Sequence, residues 1–167
     1  MLANLQSHLE VCAGRFPGAR WTDASSRHIT LKFLGSAPAR RLSEVEGCCA
    51  VAASGSEPCE LRLEGLGAFP RPAGATVLWA GVGDDGGMLT RLAGELDGAL
   101  APLGFSPEQR PFVAHVTLAR FRRPTRLELP ELTPIGPFSM TQIGLFQSHL
   151  SPRGARYTAL ATFALGR

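Results

Sequence analysis

Two short segments of this 167-residue chain echo each other: residues 28–31 read HITL and residues 115–118 read HVTL. Each lies in a β-prone run. Side chains alternate between faces of an extended chain. Each segment therefore sets a histidine and a threonine on one face and apolar residues on the other. A lone strand histidine is usually structural or solvent-exposed, whereas two matched His–Thr pairs point to chemistry. An imidazole has a reference pKa of about 6.5 and exchanges a proton near neutral pH. Two imidazoles can therefore act as general acid and general base without a metal. On opposite sides of a phosphorus, one activates water and the other protonates the leaving oxygen. Threonine hydroxyls donate hydrogen bonds to the non-bridging oxygens, where charge builds in the transition state. The chemistry expected of His28, His115, Thr30 and Thr117 is in-line opening of a phosphodiester.

Other chemistries lack their residues. A two-histidine metal site needs a third ligand, and no Asp or Glu lies within three residues of either His-x-Thr. The chain has no G-x-S-x-G elbow, P-loop or G-x-G-x-x-G. Cysteines 12, 48, 49 and 59 form no C-x-x-C pair and suggest neither zinc nor disulfides, as suits a reducing cytoplasm. Neither a metal nor a cofactor is expected. The net charge is only +3, but the cations are sixteen arginines and one lysine, Lys32. Arginine suits bidentate phosphate recognition, and a GC-rich genome gives the same bias.

The elements that must position these residues follow from periodicity. Leu2, Leu5, Leu9, Cys12 and Phe16 predict an amphipathic helix. Residues 28–34 read as a strand, and 39–53 as a helix with Leu42, Val45, Cys49 and Ala52 inward. Strands are expected at 59–69, 76–82, 112–121, 140–147 and 156–165. Between them, Leu89, Leu92, Leu96, Leu100 and Leu103 mark a third helix. Residues 122–137, rich in Arg and Pro, read as a surface loop, and 83–87 (GDDGG) and 151–155 as turns. Irregular alternation with recurring hairpins favours an α+β fold over a doubly wound parallel sheet. The two echoed strand–helix units suggest a pseudo-symmetric, two-lobed arrangement. No basic leader or membrane-length apolar run is present.

Several residues keep two readings. Strict alternation puts Arg120 opposite His115, so it is either a phosphate contact reached by strand twist or a salt-bridge residue. Lys32 shares the motif face and lines its rim. Arg122, Arg123 and Arg126 either steer an RNA backbone or form a solvated basic loop. Phe33 and Phe121 are expected in the core. Trp79 and Tyr157 could stack on a base, with core packing favoured for Trp79. His8 and His149 read as surface residues.

With these residues in place, the chain resembles the 2H phosphoesterases, named for paired H-x-T-x motifs. It is most similar to their RNA 2′,3′-cyclic phosphodiesterase branch, formerly described as 2′–5′ RNA ligase. The likeness runs from about residue 2 to 165. It includes RW (20–21), HITLKFLG (28–35), LWAGV (78–82), RPFVAHVTLAR (110–120) and LFQSHLSPRGARYTAL (145–160). The resemblance implies a single bilobal domain over 1–167, with antiparallel sheets lining a central cleft and helices outside. It implies that His28 donates a proton to the leaving 3′ oxygen and that His115 is the base activating water. Thr30 and Thr117 would hold phosphate oxygens. The implied substrate is RNA ending in a 2′,3′-cyclic phosphate, the product a 2′-phosphate, with no cofactor and a secondary 2′–5′ ligation. A cytoplasmic monomer is expected. Family members begin with a strand before the first helix; here Met1 is expected to lie in that helix already, so either the start codon is placed too far downstream or the first strand is missing. Two alternatives remain: an enzyme for small cyclic nucleotides or ADP-ribose cyclic phosphate, and an RNA-binding module without catalysis.

Overall fold

The computed structural model describes residues 14–84, 86–151 and 154–166. The expected first helix lies outside the described residues except for 14–16, which form a turn. The expectation about a first strand also concerns residues outside those described. The chain divides into two compact units: Met1–Ile29, Leu61–Gly83 and Ala114–Phe138 in the first; Thr30–Glu60, Asp84–Val113 and Ser139–Arg167 in the second. The architecture is α+β, as expected.

The first unit is built on a five-stranded sheet in the order β1-β4-β3-β2-β5. Its strands are β1 (Arg20–Trp21), β2 (Cys59–Phe69), β3 (Ala75–Asp84), β4 (His115–Thr125) and β5 (Ile135–Met140). β4 pairs antiparallel with both β1 and β3. The apolar run at 76–82 lies within β3. Leu78, Ala80 and Val82 are buried, while Val77, Trp79 and Gly81 between them are half-buried. One face of β3 is thus core, and the other carries Val77, Trp79 and Gly81.

The second unit packs helices α1 (Leu42–Ser54) and α2 (Met88–Leu100) with the hairpin of β6 (Gln142–Ser151) and β7 (Gly154–Ala164). Its core joins Val45, Cys49 and Ala52 of α1, Leu92, Leu96 and Leu100 of α2, and Ile143 and Leu145 of β6. The 3.6-residue period places these residues on facing stripes. Each fully buried leucine contributes about 1.5–3 kcal/mol. Leu42, expected inward, stays 37% exposed at the first position of α1. At the start of α2 the Asp84 carboxylate accepts the Leu89 N–H at 2.8 Å, supplying the cap that Gly87 has no side chain to make.

Three expectations change. Residues 28–34 do not form a ladder strand; their contact with the sheet is an isolated antiparallel bridge, Ile29 to Val116. The reason is competition for one edge. Arg20 and Trp21 pair with Arg120 and Ala119, and the Thr22 N–H bonds Leu118 O at 2.9 Å. Only the start of β4 remains for the motif segment. Second, β4 begins at His115 and runs to Thr125, so Arg122 and Arg123 stand on a strand, not in the expected loop. Third, an extra strand, β5, lies within and just beyond that loop.

Candidate active site

β4 carries the second motif, and its pairing decides which residues share a face. Gly81 pairs with His115, Ala80 with Val116 and Trp79 with Thr117. Leu78 then pairs with Ala119, and Val77 with Arg120. Leu118 is thus an extra residue, a β-bulge. Directly opposed residues on neighbouring strands share a face. Val77, Trp79 and Gly81 lie on one face of β3, so His115, Thr117 and Arg120 lie together on the matching face of β4. Strict alternation had put Arg120 opposite His115; the bulge overturns that placement. Arg20, paired with Arg120 across β1, shares the same face. Val116 and Leu118 turn the other way, into the core.

The first motif reaches this sheet through the Ile29–Val116 bridge. An antiparallel bridge sets the residue before one partner alongside the residue after the other. His28 therefore lies alongside Thr117. Its backbone follows a short 3₁₀ turn, Ala24–Ser26, and its Nδ1 lies 2.8 Å from Ser26 O. A carbonyl can only accept, so Nδ1 carries the hydrogen of this bond. A proton on Nε2 can be exchanged without breaking this bond. The preceding Arg27 donates from Nη2 to Thr22 O at 3.0 Å. Its Nε and Nη1 are buried with no hydrogen-bond partner among the described residues. Burial pulls its pKa below the usual arginine value, against the opposing pull of Asp23.

His115 is half-buried between aromatic rings. The Phe69 centroid lies 5.1 Å away at an interplanar angle of 83°, and that of Trp79 lies 5.8 Å away at 55°. Thr22 pins the neighbouring edge: its hydroxyl is 2.9 Å from Thr117 O and 3.0 Å from Leu118 O. The sequence reading missed Thr22 and Phe69, and weighed Trp79 only as core or as a base platform. Phe69 ends β2 far from both motifs in sequence, so no local pattern signals it.

Thr30 is exposed and opens the second unit, two residues after His28. Lys32, expected at a rim, has a side chain only 9% exposed; it pairs with Asp97 and donates to Ser106 O at 2.6 Å. The Lys32 hydrogen bond, aided by the Glu108 N–H, holds the Asp97 carboxyl below the usual carboxylate range. Phe33 is not core: it stands 78% exposed over an open hollow of about 410 Å³ that Arg41 and Phe105 also line. The segment leaves its strand path after Ile29, which removes the alternation that would have turned Phe33 inward. Phe121 is buried, as expected. Tyr157 and His149 lie on the β6–β7 hairpin, and Arg126 flanks a hollow with Arg15 and Phe16. No three His, Cys, Asp or Glu side chains are grouped to hold a metal among the described residues. Nor, among those residues, is any helix long and apolar enough to cross a membrane.

The LigT-like phosphoesterase family model matches residues 2–79 and 82–157. An RNA 2′,3′-cyclic phosphodiesterase of Aeropyrum pernix is 37% identical over 140 residues, covering 80% of this chain and 78% of that protein. One from Methanothermobacter thermautotrophicus is 31% identical over 153 residues, covering 87% and 82%. Among solved structures, E. coli LigT complexed with 3′-AMP superposes with a TM-score of 0.79 at 26% identity. That match covers 100% of this chain and 94% of the other.

Proposed function

The chain belongs to the LigT-like phosphoesterase family, and on that premise we propose that it hydrolyses RNA 2′,3′-cyclic phosphate ends to 2′-phosphomonoesters. The observation that carries this reading is the Ile29–Val116 bridge, which ties one His-x-Thr motif to the other. The names of the relatives supply the substrate class.

In the proposed mechanism, His115 takes a proton from a water that attacks phosphorus in line. His28 gives the Nε2 proton to the departing 3′ oxygen while its Nδ1–H stays on Ser26 O. The P–O3′ bond breaks, the new P–O bond comes from water, and the phosphate remains on the 2′ oxygen. Thr117 and Thr30 donate to the non-bridging oxygens, and Arg120 offers its guanidinium to the same charge. No metal takes part. Two imidazoles used in opposite protonation states give a bell-shaped dependence of rate on pH. The proposed setting is a monomer acting on RNA in the cytoplasm.

The test is incubation with a short RNA ending in a 2′,3′-cyclic phosphate, in excess chelator, with phosphorus NMR of the product. A 2′-monoester lost on either His28→Ala or His115→Ala supports the proposal. A 3′-monoester reverses which oxygen leaves and so refutes the role of His28. Activity that vanishes in chelator and returns with one divalent ion refutes the metal-free mechanism.

A further inference from the structure

The face that carries His115 has a second feature that the acid–base mechanism does not use. Trp79, diagonal to His115 across the β3–β4 ladder, is half-buried there rather than in the core. Its indole lies over Gly67 of β2 so closely that a Cβ at Gly67 would fall 2.1 Å from the ring. Gly81, directly opposite His115, also lacks a side chain, and a Cβ there would stand 3.6 Å from the indole and 2.5 Å from Glu64 O. Gly67 thus clears the space that the indole occupies, and Gly81 makes room for Glu64 O beside it. Phe69 closes the arrangement: its centroid is 5.2 Å from that of Trp79 and 5.1 Å from that of the imidazole. The three rings form a closed triangle. The indole Nε1 is buried with no hydrogen-bond partner among the described residues. A buried tryptophan ordinarily finds such a partner, so what this position uses is the shape of the ring.

We propose that Trp79 is a positioning residue for His115: seated on Gly67 and braced by Phe69, its indole holds the imidazole in the orientation from which it takes the proton of the attacking water. The inference rests on the role proposed above for His115. A histidine side chain has three staggered χ1 wells and a roughly two-fold χ2, hence about six orientations. Holding one of them removes up to about sixfold of dilution. A displacement of about 1 Å in a catalytic group costs up to about 100-fold. Losing the indole is therefore expected to lower kcat by about 5- to 100-fold and to leave KM within about twofold.

The experiment compares Trp79→Ala, Trp79→Leu, Trp79→Phe and Gly67→Ala on a cyclic-phosphate RNA, with folding checked by circular dichroism. Trp79→Leu keeps apolar bulk if the alanine variant does not fold, and Trp79→Phe keeps a flat ring. The expected result is a fall in kcat for the Ala, Leu and Gly67→Ala variants and substantial retention by Trp79→Phe. The double variant Trp79→Leu/His115→Ala should be no slower than His115→Ala alone, because the indole acts only through the imidazole. Additive losses, a rise in KM at unchanged kcat, or unchanged kcat in Trp79→Leu each overturn the proposal. Proton NMR of the His115 ring tests the same idea without turnover. The wild type should show one set of ring-current-shifted signals, which collapses toward random-coil values in Trp79→Leu. Unshifted signals in the wild type overturn the cradle, whereas a shifted ring in a protein that turns over no cyclic phosphate refutes the proposed activity instead.

Discussion

Replacing Arg120 by alanine tests whether the bulge at Leu118 delivers a working phosphate contact. The guanidinium is exposed and shares a face with His115 and Thr117 because Leu118 is the extra residue in the β3–β4 ladder. A hydrogen bond to a charged group contributes about 1.5–3 kcal/mol. At 1.36 kcal/mol per tenfold, Arg120→Ala is expected to lower kcat/KM by about 10- to 150-fold. Arg120→Lys keeps the charge but loses the planar fork, so its loss should be smaller. Stability should shift by no more than about 0.5 kcal/mol, as for other exposed positions. The assay is initial-rate kinetics on a cyclic-phosphate RNA, with Arg40→Ala, an exposed arginine of the other unit, as the control for general loss of positive charge. Rates at low salt and at 0.5 M salt separate contact from steering. Screening at 0.5 M shortens the Debye length to about 4 Å. A steering effect therefore fades with salt, and a direct contact persists. An Arg120→Ala enzyme within twofold of wild type, or a deficit that disappears at high salt, refutes the argument from register.

Three further outcomes follow from particular groups. Asp97 is held below the usual carboxylate range by Lys32, so the stability it contributes is present above its unfolded pKa of about 3.9 and is lost as pH falls through the lower folded value. Asp97→Asn should melt below the wild type at pH 7, and the gap should close below about pH 4; a gap independent of pH refutes the linkage. Burial, with the neighbouring Cys48 and Glu46, pushes the Cys49 thiol up to about 11. At pH 8 only about 0.1% of it is thiolate, against a quarter of an ordinary thiol with pKa about 8.5, so alkylation should run on the order of a hundredfold slower than in the unfolded chain. Mass spectrometry of timed iodoacetamide labelling reads this directly. Thr22→Val removes the hydroxyl that serves Thr117 O and Leu118 O. It should cost about 1 kcal/mol by denaturant titration, and an unchanged midpoint would show that the hydroxyl does not pin the sheet edge.

Residue types at short range are what the sequence settles by itself. The second His-x-Thr segment, the leucine stripe of α2 and the apolar run of β3 depend on local alternation or helical period. They were legible because nothing distant alters them, and the α+β class follows from their order along the chain. Tertiary structure decided what depends on competition and register. Residues 28–34 look like a strand, but Arg20, Trp21 and Thr22 already occupy the edge of β4, which leaves Ile29 a single bridge and leaves Phe33 exposed. Strict alternation turns Arg120 away from His115, but one extra residue at Leu118 shifts the ladder, and a register shift of one moves every later side chain to the other face. The indole over His115 depends on Gly67 and Phe69 of β2, nearly fifty residues earlier in the chain. The chemistry proposed here is read from local residue pairs. The environment that orients those pairs comes from strands that meet only when the sheet closes its hydrogen bonds.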